Sequence, residues 1–491
     1  MRKWLVAVLA AALLTGVFFL IRAQLGADAV DEANGNHTEM PMLIYYTIGA
    51  PDADLEGVNR VLNELLAEKI GVTVDYRKIA WGEYQDRLNR LIDSGQVFDI
   101  AFAMNYAQHA NRGAWLRLDD YLAPGGIGHG MYKVVDATFW EGARVGDGIY
   151  GVPTNKELAV VDQWMYPKAL IDEYGIDINR YTTLESLEPL FAMIAAQEPD
   201  YLVMELDSRT NNFFSLYGFE YVYDISLPLV VRSLSDKPLM INPFVTAEGR
   251  EILDTLRRYY LAGYINEDAA FVPSTNLVPG KKVFFRMASG GPHSAPIWTA
   301  QRQYPVEAAM VGQPIVTTES TQGAVMSISA NTRYPEECVA FLNCLNTDPE
   351  VRNLLNYGIE GLHYELDEND QAVVPEEVGY AGVQYTQGNW FILHTRGGEN
   401  PEPLDKWEQY RAYNASAVKS NILGFVPDLS EYGAQLDRVA QVCGTYYPAL
   451  MTGSVDVDEF LPEFLNNLSL AGLDDIQEEL QAQLEAWWRT H

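Results

Sequence analysis

Trp81, Asn105, Tyr106, Asn155, Glu157, Trp298, Glu360, His363 and Trp390 are the residues of this sequence best suited to grip a ligand without reacting with it. They pair flat aromatic faces with amide, carboxylate and imidazole groups. A neutral polyhydroxylated molecule needs that combination, because its C–H faces stack on rings while its hydroxyls exchange hydrogen bonds around the rim. The chain holds 10 Trp, 29 Tyr and 18 Phe, so most rings must be core and position has to decide which of them bind. Signatures of catalysis are missing. There is no His-Glu-x-x-His, no Gly-x-Ser-x-Gly, no Walker loop and no EF-hand spacing, and the 7 histidines are scattered. Asp367-Glu368-Asn369-Asp370 lacks the Gly and the closing Glu of a calcium loop and reads as a solvated turn. The side chains point to binding without turnover, with no metal and no cofactor. Two rival readings stay open on residues alone. One is an exported glycoside hydrolase, which needs two carboxylates about 5–9.5 Å apart across a cleft. The other is a sensor ectodomain that reports its ligand to a membrane partner.

The elements that must position these residues alternate. Residues 42–49 (MLIYYTIG) read as a strand, and Val58, Val61, Leu62, Leu65 and Leu66 then recur at the spacing of an amphipathic helix. Residues 72–79 follow as a second strand, Tyr84, Leu88, Leu91 and Ile92 mark a second helix, and residues 98–104 form a third strand. Alternation with short connections argues for a doubly wound, largely parallel sheet, whose ligands bind beyond the carboxyl ends of the strands. Gly146, Gly148, Gly151 and Pro153 predict a hairpin and then a crossing strand. A helix is expected from near Thr182, with Glu185 completing a capping box, and another from Thr246 to Leu261. Residues 286–298 (RMASGGPHSAPIW) read as a loop, 323–329 as a strand and 335–345 as a helix. The last third is mostly helical, and Ile476, Leu480 and Leu484 give the closing helix its apolar face.

Charge narrows the partners. With 34 basic against 67 acidic residues the chain carries −33 at pH 7, which repels phosphate backbones and anionic lipid. Nucleic acid is thereby excluded as a partner. Arg2 and Lys3 precede an apolar run from Trp4 to Ile21 that Arg22 closes. A cleavable signal carries about 7–15 apolar residues and a membrane span about 20, and this run is nearer the second. Residues 1–29 are read as an export signal or uncleaved anchor, with Ala27-Asp28-Ala29 as the place of any release, and 30–40 as a polar tether. The three cysteines, Cys338, Cys344 and Cys443, form no Cys-x-x-Cys and are expected to be buried small hydrophobes.

Four segments resemble a known family. Residues 98–122 (FDIAFAMNYAQHANRGAWLRLDDYL) resemble the extracellular solute-binding proteins of family 1, the maltodextrin-binding type, in their strand, polar-aromatic pair, helix and Gly-aromatic-x-x-Leu-Asp turn. Residues 148–157 (GIYGVPTNKE) look like that family's Gly-x-Tyr-Gly-x-Pro crossing strand. Residues 334–365 and 471–487 resemble its LipO-like subgroup with a C-terminal domain of unknown function. The resemblance implies a two-lobed α/β fold of the periplasmic-binding-protein type II, each lobe a doubly wound, mainly parallel sheet with flanking helices, and a helical C-terminal part. It implies lobe one from 41–153 plus 323–348, lobe two from 157–320 plus 349–491, and a cleft that shuts on ligand. It also implies a monomeric substrate-binding component of an ABC importer, which delivers a carbohydrate or oligosaccharide to membrane permease subunits. The expected location is extracytoplasmic, tethered to the outer face of the membrane, or secreted if the signal is cut. One departure matters: Leu14-Thr15-Gly16 is followed by Val17 where lipoproteins of the family have Cys, so the apolar run itself must anchor the chain or the protein is released.

Within that frame each selected residue has a binding role and a packing role. Asn105-Tyr106 follow a strand end, and Trp81 begins a helix facing either cleft or sheet. Asn155 and Glu157 lie near the hinge, where a carboxylate could bridge the lobes or serve the hinge alone. Trp298 is a second-lobe platform or core. Glu360, His363 and Tyr364 share a turn between helices, and Trp390 follows Gly388-Asn389.

Overall fold

In the first of the two main sheets, strands Thr73–Ile79, Met42–Ile48, Ile100–Phe102, Val325–Ile328 and Val152–Pro153 lie side by side in that order. This is a computed structural model describing residues 40–209, 212–273 and 281–491, so the expected signal at 1–29, and the tether up to residue 39, lie outside the described residues. Met42–Ile48 has parallel neighbours on both sides and is buried along most of its length. Thr73–Ile79, on the edge, alternates buried and half-buried positions instead. Helix Leu55–Ile70 turns Val58, Leu62 and Leu66 into the core and ends at Gly71, whose φ of 69° only glycine adopts freely.

The second sheet runs Val306–Val311, Val161–Pro167, Val283–Gly290, Leu202–Met204. Each sheet has one reversed strand: Val325–Ile328 is antiparallel to both neighbours in the first, and Val161–Pro167 to both in the second. These are the strands on which the chain enters one lobe from the other. A chain arriving from across the cleft meets the carboxyl ends of the other strands and must run against them. All remaining strands of each sheet share one direction, as expected of a two-lobed, mainly parallel α/β fold.

Each sheet has its own core. The first gathers Leu43, Tyr45 and Ile100 with Leu62 and Leu342. The second joins Trp164, Phe191 and Phe285 to the C-terminal helices Gly433–Met451, Val457–Ala471 and Leu473–Trp488 through Val439, Phe464 and Ile476. All three cysteines are buried and free. The capping box expected of Thr182 and Glu185 is replaced by Thr183 and Ser186, which exchange side-chain-to-backbone hydrogen bonds; a 3-10 turn over Glu185–Leu187 follows and the α-helix runs Glu188–Gln197. Thr246 caps Ala247–Leu261 through Gly249 N at 3.0 Å.

Two expectations are corrected. Residues 286–298 are not a loop: strand Val283–Gly290 continues through the small residues because Val161–Pro167 pairs with it, and helix Ser294–Arg302 follows. Residues 349 onward do not all join the second lobe. Asp348 caps helix Pro349–Tyr357 at Glu350 N and Val351 N, and the tight turn keeps Val351, Leu354, Leu355 and Tyr380 in the first core. The chain crosses only later, where Leu423 packs in the first core while Ile422 and Phe425 pack in the second.

Candidate ligand-binding cleft

Where the strand Ile100–Phe102 ends, Asn105 turns the chain with φ 53° into helix Tyr106–Asn111. Asn tolerates this left-handed position better than most residues. A cavity of about 260 Å³ opens here between first-lobe residues Asn105 and Gln108, second-lobe residues 220–224, and the connector 318–323. Gln108 Nε2 donates to the Tyr223 hydroxyl at 2.8 Å, from one lobe to the other. Three carboxyls, Glu220, Asp224 and Glu319, line the cavity. Burial pushes Glu220 up to about 7, opposed by the Ser233 and Ser420 hydroxyls and reinforced by the charge of Glu319. Burial, then the charge of Asp224, raises Glu319.

An aromatic wall adjoins the cavity through Tyr385, whose hydroxyl donates to the Gly323 carbonyl. Its ring lies 6.4 Å from Trp81 and beneath Lys156, with Nζ 5.5 Å from the ring centre. Lys156 Nζ pairs with Glu157 Oε1 at 2.8 Å, while Glu157 Oε2 is buried with no hydrogen-bond partner among the described residues. Beyond Glu157, Tyr410 donates to the Pro292 carbonyl at 2.6 Å and stacks on His293 at 5.9 Å. Trp407 and Trp390 complete the cluster at 5.7 and 6.1 Å from Tyr410. Lys406 Nζ sits 4.5 Å over Trp407 and is tied to Glu402 at 2.7 Å.

The segment carrying Tyr385 and Trp390 is clamped from three sides. Arg352 Nη2 and Trp390 Nε1 both donate to the Gln384 carbonyl, at 3.1 and 2.9 Å. Tyr45 donates to Gln387 from the first sheet, and Asn155 Nδ2 donates to Asn389 Oδ1 from the hinge. Such buried hydrogen-bonded networks hold one geometry.

A family model described as bacterial extracellular solute-binding protein matches residues 61–359, more than half of the chain. The chain belongs to this family. A second model, described as domain of unknown function (DUF3502), covers residues 421–489 and thus starts at the late crossing. A carbohydrate ABC transporter substrate-binding protein of Streptococcus pneumoniae is 28% identical over 454 residues, 91% of each chain. Among solved structures, the N-glycan transport solute binding protein (NgtS) from the same organism has a TM-score of 0.82 at 27% identity, covering 91% of this chain and 99% of that one. The same protein in complex with Man5GlcNAc gives a TM-score of 0.72 at 28% identity, covering 92% and 99%. As a member of a family of extracellular binding proteins, the solute-binding protein described here captures its solute and does not turn it over, which closes the hydrolase alternative.

The solute-binding protein places its sequence-selected residues unevenly. Asn105 lines the cavity, Trp81 is exposed beside Tyr385, Glu157 is buried against Lys156, and Trp390 packs with Trp407 and Tyr410 in a small core. Tyr106 walls the cavity with its ring, but its hydroxyl is spent on the Ala143 carbonyl (2.7 Å) and Tyr150 N (3.0 Å), so it offers no polar contact. Asn155 is spent likewise on Val134, Asn389 and Asp136. Trp298 packs on Met165 and Val306 in a small core of its own. His363 is buried, with Nδ1 accepting from Ile359 N and Nε2 at 3.3 Å from Asp54. Glu360 lines a separate groove of about 630 Å³ between helices Leu55–Ile70 and Pro349–Tyr357. The selection omitted Lys156, Glu220, His293, Glu319, Tyr385, Trp407 and Tyr410. The sequence marks them only by rings close to acids (FEYVYD at 219–224, KWEQY at 406–410), a pattern shared with many surface turns. Asp367–Asp370 is an exposed turn closed by Asp367 Oδ1, and no cluster able to hold a metal ion occurs among the described residues.

Proposed function

We propose that this solute-binding protein is the substrate-binding subunit of a carbohydrate ABC importer, and that its cargo is an oligosaccharide of the N-glycan type. The observation that carries the reading is the cleft itself. Trp81 pairs with Tyr385, and Trp390 clusters with the buried Trp407 and Tyr410, on segments beside a buried carboxylate oxygen free to accept a hydrogen bond. Rings hold sugar faces and the acceptor reads a hydroxyl, which together suit a neutral glycan better than a peptide or a lipid. The likeness to NgtS supports the glycan class. Residues 42–159 and 316–420 form the first lobe and 161–311 with 422–489 the second, a division supported by the two cores. The captured glycan passes to permease subunits, and the protein works as a monomer tethered by its N-terminal apolar run. No helix among the described residues is long and apolar enough to cross a membrane, so the tether falls to residues outside them.

A calorimetric titration of the purified protein with Man5GlcNAc, a maltodextrin and a peptide tests the reading. Saturable binding of Man5GlcNAc, with the glycan recovered intact, is the expected result. Binding of the peptide and of neither glycan would overturn it.

A further inference from the structure

Both lysines of the cleft wall are already committed. Lys156 is held by Glu157 at 2.8 Å and Lys406 by Glu402 at 2.7 Å, and both lysines are buried, so neither reaches a ligand without leaving its partner. The adjoining cavity adds Glu220, Asp224 and Glu319 and no lysine, arginine or histidine among its described lining residues. Beside Lys156 on the first passage between the lobes, Glu157 is only 8% exposed and its Oε2 is unpartnered. A carboxylate can only accept, and leaving a buried acceptor unsatisfied is unfavourable. Gly291 lets the loop close on Glu157, since a Cβ there would stand 3.2 Å from Glu157 Cγ. Nearby, His293 Nε2 is also buried and unpartnered, on a ring stacked against Tyr410.

The geometry points to Glu157 as the specificity-determining residue of the cleft: its free oxygen takes an O–H or N–H of a neutral glycan, and the committed cations leave no free lysine or arginine to receive a carboxylate, phosphate or sulfate on the cargo. This inference rests on the oligosaccharide reading above and adds the charge of the cargo and the atom that checks it. An anionic substituent entering here meets like charges in a partly desolvated site, where repulsion is stronger than at an open surface.

The test is calorimetric titration of the full chain with Man5GlcNAc, and with the same glycan carrying one phosphate monoester, at about 20 mM and about 300 mM salt. The phosphorylated glycan is expected to bind at least about tenfold more weakly, with the gap narrowing in high salt. In Glu157→Gln, Lys156 retains the amide oxygen and the NH₂ faces the ligand, so a donor replaces the acceptor. That variant is expected to bind the neutral glycan about ten- to a hundredfold more weakly and to discriminate less between the two glycans. Wild-type affinity in Glu157→Gln, or equal affinity of the wild type for both glycans, would overturn the inference while leaving the oligosaccharide reading intact. Failure of the wild type to bind either glycan would overturn both. Should the variant not fold, the two wild-type titrations still decide, because equal affinities at low salt sink the proposal.

Discussion

Replacing Glu220 by Gln should change the pH dependence of stability in a direction and by an amount set by its burial. The Glu220 carboxyl is pushed up to about 7 from an ordinary 4.5, first by burial. The folded protein therefore keeps this proton up to neutral pH, whereas the unfolded chain releases it near 4.5. Between those values folding takes up a proton, so stability falls as pH rises and levels off above about 7. At about 1.36 kcal/mol per pH unit the full effect is roughly 3 kcal/mol. Glu220→Gln keeps the shape and the reach to Ser233 and Ser420 but does not titrate. The variant should match the wild type near pH 4.5 and exceed it by roughly 2–3 kcal/mol at pH 8. Glu319 and Asp162 are raised as well, so the variant's own stability still declines with pH. The wild-type-minus-variant difference isolates Glu220. Urea unfolding followed by tryptophan fluorescence at half-unit steps from pH 4.5 to pH 8 supplies that curve. A difference that stays flat across the range, or grows toward acid, refutes the argument.

Three further substitutions separate ligand contact from scaffold. Trp81→Ala removes an exposed ring next to Tyr385. It should weaken glycan binding about 2- to 12-fold by titration and leave the melting temperature unchanged. Asn155→Ala strips a buried side chain of its bonds to Val134, Asn389 and Asp136 and should cost roughly 2–4 kcal/mol in chemical denaturation. Gly358 has φ 86° and ψ −152°, and a Cβ there would lie 2.4 Å from His363 Nδ1. Gly358→Ala should therefore destabilise by at least about 2 kcal/mol, measured as a lowered urea midpoint.

The helices and the first sheet were legible because their signals are local. The stripe Val58, Leu62, Leu66 is the buried face of its helix, Thr246 is the cap it was expected to be, and Gly146 makes the hairpin between Arg144–Val145 and Gly148–Ile149. The site was legible only in part because its residues acquire their roles through contacts distant in sequence. Tyr106 has the right type and place beside the cleft, yet Ala143, 37 residues away, takes its hydroxyl. Trp298 was read as following a loop, but the pairing of Val283–Gly290 with Val161–Pro167 extends the strand and puts the ring on Met165 and Val306. Tyr385 and Tyr410 lie in stretches without hydrophobic period. The clamp of Arg352, Gln387 and Asn389, with the hydroxyl's bond to the Gly323 carbonyl, gives Tyr385 its orientation.

The three passages of the chain between the lobes explain why hinge and site coincide. The first runs through Asn155, Lys156 and Glu157 into the reversed strand Val161–Pro167. The second runs through Thr318–Gln322 into the reversed strand Val325–Ile328. The third passes at 421–425, where Leu423 and Phe425 belong to different cores. The second passage gives the cavity Glu319 and the third gives it Ile422, Phe425, Val426 and Pro427, while the first carries Glu157 with its unpartnered oxygen. Any rotation of one lobe on the other must bend these segments, and so must move Glu319 relative to Glu220. A ligand that bridges such pairs interacts differently with open and closed arrangements, the only way binding can shift that equilibrium. The buried carboxyls beside the hinge thus make closure depend on what the ligand donates, and a neutral, hydroxyl-rich cargo meets that demand without adding charge.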